Sequence, residues 1–407
     1  MTNKPSSFDL LKKSVTFNMS LGSKELFHSN FLYWISQTNQ DFFLDIMRDL
    51  AGHPNIHFWW EESNFEVKRE YHNFDLCICI KYENNSKKAN REDNILMPVL
   101  ILENKMKSLP TKMQLEKYTK NAFELNKKTE KVNNRTNITF ILLSLLDSDI
   151  DTKVSLDHKD YFWEKKNYEN LYNAFKASEY KEQLKGLALD IVNDYMKFID
   201  SLSNLAKNDW SFKSNDSFNQ KLILPNKVSE ELRIHDIRDK INFQLLLKLI
   251  QEELVHNYPN FKIFYGTYYS NQKALIDIWW EYGNVNLKIQ LQGNVYKHAI
   301  EVPDKKTQNL DNYCKNENIN DDMINSFLNF TEGNEIFKNL VVEEKDGSIK
   351  IMPKDNKQAG HKDYSNKYCY YGKTFAYKYM TISSCENISI ENVVKMIVKD
   401  VYKYYKK

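Results

Sequence analysis

Glu103 and Lys105 stand two residues apart at the end of an aliphatic run, VLIL, which occupies residues 99–102. Successive side chains of a β-strand point to opposite faces, so these two charged side chains project side by side and Asn104 points the other way. Charge at the end of a buried strand is costly unless it is paired or binds a metal ion. The spacing therefore indicates a chemical site, with an ordinary ion pair worth about 0–1 kcal/mol as the alternative interpretation.

Asp75 lies near the start of an earlier apolar strand, FDLCICIK, and offers a second carboxylate. If the two strands are neighbours, Asp75 and Glu103 converge and form a site for a hard divalent cation such as Mg²⁺, which binds oxygen ligands and keeps several waters. Lys105 would then lie beside a water held at the cation and would neutralise charge that develops on a phosphate. The residue types point to metal-assisted hydrolysis; a role in ending a turn is the alternative for Asp75.

Hydrophobic periodicity predicts the elements that must position these residues. In the first half we expect helices over 20–36 and 40–51, strands over 64–70, 74–81, 98–105 and 137–146, a helix of about 15 residues from Thr111, and mostly helix over 160–205. Gln114 and Tyr118 are four residues apart and so share one face of the helix that follows Lys105. Glu25 lies near the start of the first helix, where an acidic residue also stabilises the positive helix end.

A polar, irregular stretch over 206–228 predicts a domain boundary, with one domain over 1–205 and another over 206–407. The second half predicts an α+β domain with helices over 229–258 and 388–405 and strands over 261–269, 273–282 and 285–292. The order of one helix, three strands and one helix occurs in both halves, which indicates a weak internal repeat or only a generic α/β architecture. We expect the second domain to serve recognition, regulation or oligomerisation.

The charge balance of the 407 residues is nearly even, with 57 Lys and Arg against 55 Asp and Glu. A nucleic-acid footprint must therefore be local. The helix after Lys105 has such a local excess of positive charge. We expect this region to bind nucleic acid through Lys107, Lys112, Lys117, Lys120 and Tyr118, with the lysines contacting phosphates. A solvated helix face is the alternative for the lysines, and core packing is the alternative for the tyrosine.

Several classes of protein do not fit the sequence. No apolar run approaches the roughly 18 residues of a membrane span, and the first residues lack the pattern of a signal peptide. The five cysteines show no metal-binding spacing, which favours a reducing, cytoplasmic location. Neither of the glycine-rich phosphate-binding motifs of nucleotide-dependent enzymes is present.

The order of Asp75 followed by Glu103-x-Lys105, with ELFHSNFLYWI before it and QLEKY after it, resembles the PD-(D/E)XK nuclease superfamily. The resemblance covers roughly residues 20–200 and is greatest to a bacterial branch of uncharacterised PD-(D/E)XK proteins. One departure is Phe74, which stands where the motif has proline. The resemblance implies a restriction-endonuclease-like fold, in which helices flank a mixed four-stranded sheet.

The same resemblance implies a phosphodiesterase that depends on Mg²⁺ or Mn²⁺ and acts as an endonuclease or exonuclease. By position, Asp75 and Glu103 hold the metal with the backbone carbonyl of Asn104, and Lys105 positions the attacking water or stabilises the transition state. Glu25 adds an outer carboxylate, and Gln114 supports the site from the next helix.

As a family-level expectation, the resemblance implies DNA rather than RNA as substrate and a role in bacterial defence against foreign DNA. Two alternatives stay open: a catalytically silent nuclease-fold protein that binds nucleic acid, and a structural or protein-interaction component of a defence or toxin system. A homo-oligomer, a protein partner and a small-molecule activator are also left open.

Overall fold

The computed structural model describes residues 6–24, 26–52, 65–82, 95–106, 112–127, 138–145, 152–270, 273–283, 285–302, 326–328, 369–371, 374–381 and 388–405. The chain divides into two compact units, Met1–Asp209 with Val228–Ile234 and Trp210–Lys227 with His235–Lys407. Among the helices of the described ranges, none has the length and apolar character required to cross a membrane.

The α-helices up to residue 231 are short or of medium length. They are α1 Ser7–Lys13, α2 Val15–Ser20, α3 Leu26–Thr38, α4 Gln40–Ala51, α5 Lys112–Lys127, α6 Tyr168–Ala177, α7 Leu187–Asn204 and α8 Lys227–Glu231. Local sequence sets their ends: the Asn39 side chain caps the start of α4, and Gly52 in the left-handed conformation ends it.

In the residues that the structure describes, the first unit has six strands in one mixed sheet. They are β1 Phe65–Tyr71, β2 Phe74–Tyr82, β3 Ile95–Lys105, β4 Thr139–Ser144, β5 Lys153–Leu156 and β6 Lys159–Asn167. The spatial order is β1-β2-β3-β4-β6-β5. β3 runs parallel to β4 and β4 parallel to β6, whereas the other neighbours are antiparallel. The expected mixed sheet with flanking helices is thus confirmed, and it has six strands where the resemblance implied four.

Two local features set the register of β2. The hairpin from β1 turns through His72 and Asn73, whose φ angles of 51° and 72° are those of the tight turns that suit twisted strands. Between β2 and β3 the register shifts, because Ile78 pairs with Leu100 whereas the next residue pairs with Pro98. Val99 is the extra residue of this β-bulge.

The two faces of the first sheet pack against different helices. Helix α5 contributes Leu115 and Ala122 to a buried cluster with Cys77, Ile101 and Leu142 of the sheet. Helix α3 contacts β1, β2 and β3, and α4 contacts β4. Because alternate residues of β3 point to opposite faces, Ile101, Glu103 and Lys105 share the face of α5.

Within its described ranges, the second unit has an entirely antiparallel sheet of six strands in the order β11-β12-β10-β9-β8-β7. Its elements are α9 His235–Asn257, β7 Phe264–Ser270, β8 Lys273–Tyr282, β9 Val285–Gln292, β10 Val295–Glu301, β11 Cys369–Tyr371, β12 Phe375–Thr381 and α10 Ile390–Tyr405. The two helices pack together, and α9 packs on β7 and β8.

The two units share one succession of elements and then diverge. In each, a helix is followed by three antiparallel strands, as the weak-repeat hypothesis requires. After the third strand, however, the first unit crosses through α5 to the parallel β4, whereas β9 turns directly into the antiparallel β10. This difference favours the generic interpretation of the shared order.

Candidate active site

Asp75 and Glu103 meet at one point of the first sheet. The antiparallel register pairs Leu76 with Leu102, and its continuation by one residue places Asp75 opposite Glu103. Residues opposite each other in an antiparallel pair project to the same face. Burial is the main cause of the raised pKa of Glu103, and the charge of Asp75 adds to it, so the two carboxyl groups interact. The structure therefore brings together the two acids on the face that α5 covers.

The carboxylate of Asp75 is held by the backbone of the neighbouring strand. The backbone N–H of Asn104 donates a hydrogen bond of 2.7 Å to Asp75 Oδ2. A hydrogen bond to a carboxylate is stronger than one between neutral groups, because the acceptor carries charge. The end of β3 thus orients Asp75 as well as presenting Glu103.

Glu103 and Lys105 form a largely buried ion pair. Lys105 Nζ lies 2.7 Å from Glu103 Oε1, and the Glu103 side chain is only 1% exposed. Burial and the charge of Asp75 raise the pKa of Glu103 to about 7, although Lys105 acts in the opposite direction. This carboxyl group therefore gains and loses its proton near neutral pH.

The second oxygen of Glu103 gives the test of whether a cation fits. Oε2 is buried without a hydrogen-bond partner in the part of the chain that the structure describes. Buried carboxylate oxygens normally have a partner, and a hard cation would supply one. Asp75 offers the other oxygen donor, and Mg²⁺ commonly uses one or two carboxylates and completes its coordination with water and phosphate. Across the described ranges no group of three or more His, Cys, Asp or Glu could hold a metal, so the candidate centre there consists of two carboxylates.

Gln114 and Tyr118 lie on the α5 face that is turned toward this centre. Gln114 Nε2 donates a hydrogen bond of 2.8 Å to the Tyr118 hydroxyl. Burial raises the pKa of Tyr118, and the charges of Glu103, Lys105 and Asp75 also act on it. Its ring packs edge-on against Phe74, so the aromatic ring belongs to the core beside the centre. Gln114 is thereby placed to support the site.

Most of the lysines predicted to contact phosphates lie on α5. Lys112, Lys117 and Lys120 are exposed. Lys120 Nζ lies 3.9 Å from Glu124, at the limit of an ion pair, and both side chains are more than half exposed. Lys107 lies outside the described residues, as does Glu25, the predicted outer carboxylate.

The side chain of Asn104 projects to the opposite face of the sheet. Its Oδ1 accepts a hydrogen bond of 2.5 Å from the hydroxyl of Tyr168, the first residue of α6. The amide group therefore points away from the carboxylates, and the backbone N–H of Asn104 donates to Asp75; metal binding by the backbone carbonyl of Asn104 stays a prediction. His28 of α3 packs next to Tyr168, and burial lowers its pKa to about 3. The role of Tyr168 was missed from the sequence, although a polar residue inside a buried strand signals that a partner must exist.

The comparisons with known proteins bear on this unit alone. Residues 15–197 match the model of the PD-(D/E)XK nuclease superfamily. The match confirms the resemblance of the motifs over this segment of the chain. It contains Asp75, Glu103, Lys105 and Gln114. Neither the curated proteins nor the solved structures that were compared with the chain gave a match.

The similarity to this superfamily indicates the general chemistry of the segment. PD-(D/E)XK proteins generally hydrolyse phosphodiester bonds and typically use divalent metals. A nuclease must also bind nucleic acid. The match ends at residue 197, within α7, and so does not extend to the second unit.

Proposed function

We propose that the chain is a nuclease that depends on Mg²⁺ or Mn²⁺ and hydrolyses phosphodiester bonds, with DNA as substrate. The observation that carries the proposal is the grouping of Asp75, Glu103 and Lys105 on one sheet face, with a buried Glu103 oxygen that has no hydrogen-bond partner among the described residues. Burial of a carboxylate oxygen without a partner costs free energy, and a bound cation would offset that cost.

Each residue has a distinct task in this proposal. Asp75 and Glu103 would hold the cation, which supplies activation of water and neutralisation of phosphate charge when bound. Lys105, which is 13% exposed, can reach both Glu103 and an incoming phosphate, so it would orient the attacking water or stabilise the charge of the transition state. Gln114 would support this arrangement from α5, with its amide fixed by Tyr118.

The substrate would approach along α5. Lys117 and Lys120 are exposed and three residues apart, so they share one side of the helix that carries Gln114. Contacts of this kind bind phosphates without regard to base sequence. DNA as substrate and a role in defence follow from the resemblance alone, whereas a cytoplasmic location follows from the cysteine pattern. The second unit is proposed to act in recognition, regulation or oligomerisation.

A cleavage assay tests the proposal. Plasmid DNA, linear DNA and RNA are incubated with the full-length chain in Mg²⁺, in Mn²⁺ or in EDTA, in parallel with Lys105→Ala. Cleavage is expected in either metal, with loss in EDTA and a decrease of at least about a hundredfold in the variant. Lys159→Ala is the matched control, because Lys159 is an exposed lysine at the start of β6 in the same sheet.

The outcomes separate the proposal from its rivals. Nucleic-acid binding without cleavage in either metal would show a catalytically silent nuclease fold. Absence of both binding and cleavage would indicate a structural or interaction protein. Equal activity of Lys105→Ala and the control would refute the assigned role of the lysine.

A further inference from the structure

Asn104 connects the two faces of the first sheet. Its backbone N–H holds Asp75 Oδ2 on the α5 face, whereas its side-chain Oδ1 accepts a hydrogen bond from Tyr168 on the other face. The residue is 1% exposed and Tyr168 is fully buried. A buried hydrogen bond of this kind is formed away from water and fixes both partners strongly.

Tyr168 lies at a helix start that is fixed by hydrogen bonds. Asn167 and Asn170 form a reciprocal capping box at the start of α6, with both hydrogen bonds 2.9 Å long. Asn167 also ends β6 and pairs with Ser144 of β4, which in turn pairs with Lys105. The helix start that carries Tyr168 is therefore tied to the same strand ends that carry the candidate site.

The orientation of Asp75 depends on this chain of contacts. Rotation of Asn104 about the strand axis would move its N–H away from Asp75 and would also tilt the flanking Glu103 and Lys105. The hydrogen bond from Tyr168 opposes that rotation from the far side of the sheet. Removal of a residue that orients metal ligands without contacting the metal commonly changes metal affinity or activity by about 10- to 100-fold.

We propose that Tyr168 is a positioning residue of the Asp75–Glu103 centre and acts through Asn104 from the opposite face of the sheet. This inference rests on the nuclease function proposed above. Tyr168 touches neither substrate nor cation, and its effect is to keep the two carboxylates in register.

Tyr168→Phe in the full-length chain is the direct test. We expect kcat to fall about tenfold with the KM for DNA unchanged, and the Mn²⁺ dissociation constant to rise about tenfold. Mn²⁺ binding is measured without substrate by electron paramagnetic resonance, so it does not depend on activity. Asn104→Ala removes the same hydrogen bond from the other side and keeps the backbone N–H, so it serves if the first variant does not fold.

Tyr195→Phe is a closely matched control. Tyr195 is also fully buried on this side of the sheet, and its hydroxyl makes a 2.8 Å hydrogen bond with His28 Nδ1 instead of with β3. The substitution is chemically the same, and the lost bond is similarly buried. We expect a similar decrease in Tm but no change in kcat or in Mn²⁺ affinity.

The coupling between the two partners gives a second criterion. In the Asn104→Ala background, Tyr168→Phe should have no further effect on kcat or Mn²⁺ affinity. Three results would each overturn the inference and leave the nuclease function intact. They are additive losses of kcat and Mn²⁺ affinity in the double variant, wild-type values in Tyr168→Phe, and equal losses in Tyr195→Phe. A wild-type chain that neither binds Mn²⁺ nor cleaves overturns both.

Discussion

Replacement of Glu103 by Gln is expected to change how the stability of the first unit depends on pH. The ordinary pKa of 4.5 is raised to about 7 by burial and by Asp75. A carboxyl group with a raised pKa keeps its proton more firmly in the folded state. Its contribution to stability is therefore complete below pH 4.5 and is lost as the pH rises through 7.

The size of the effect follows from the same two pKa values. Each pH unit between them is worth about 1.4 kcal/mol, so a rise from 4.5 to about 7 amounts to on the order of 3 kcal/mol. Gln carries no titratable proton and does not lose this stability. The free energy of unfolding of Glu103→Gln, relative to wild type, should thus rise by that amount between about pH 4.5 and about pH 8. Loss of the ion pair with Lys105 adds an offset that changes little with pH.

Native-state hydrogen exchange of the β3 amides in EDTA measures this unit separately from the other. Glu124→Gln is the control, since Glu124 is an exposed residue of α5 and should follow wild type at every pH. Above pH 7, Mn²⁺ should restore the free energy of unfolding that the wild-type unit has lost. It should have little effect on the free energy of unfolding of Glu103→Gln. A difference between Glu103→Gln and wild type that stays constant with pH would refute the reasoning from burial.

Three further predictions follow from other parts of the structure. Mg²⁺ affinity should rise about tenfold per pH unit below pH 7 and level off above it, because Glu103 must release its proton to bind the cation. Calorimetry that shows no dependence of the affinity on pH would contradict this. Lys117→Ala with Lys120→Ala should weaken DNA binding and reduce the slope of log K against log salt by about 1–2, measured by anisotropy, whereas an unchanged slope would exclude phosphate contact. Tyr296→Phe should lower the free energy of unfolding of the second unit by about 1–3 kcal/mol, measured by urea unfolding, because the Tyr296 hydroxyl donates a hydrogen bond of 2.7 Å to buried Asp400. An unchanged free energy would show that this hydrogen bond contributes nothing.

Strand periodicity was sufficient to predict the grouping of the site residues. Alternation in VLILENK placed Glu103 and Lys105 on one face, and the structure has them in contact. The family match confirms the resemblance that the same motif indicated. These features are local in sequence, because each depends on a few consecutive residues with a fixed side-chain period.

Longer-range pairing was not predictable in the same way. Residues 160–205 were expected to be mostly helical, but the segment Lys159–Asn167 forms β6, where pairing with β4 buries Trp163. The helix expected over 229–258 begins only at His235, after Arg233 adopts a φ of 60°. Pairing with β4 overrode local helical propensity in the first case, and a left-handed backbone residue interrupted the helix in the second.

The extra residue in β3 decides whether the two acids can cooperate. Beyond the bulge, Cys79 pairs with Pro98, and that spacing carried on to the strand end would set Asp75 against Leu102. Side chains alternate, so Asp75 and Glu103 would then emerge from opposite surfaces of the sheet. With Val99 in an ordinary paired position instead of in the bulge, the chain would keep every acid and base of the motif in its written order, but Asp75 and Glu103 could not share a cation.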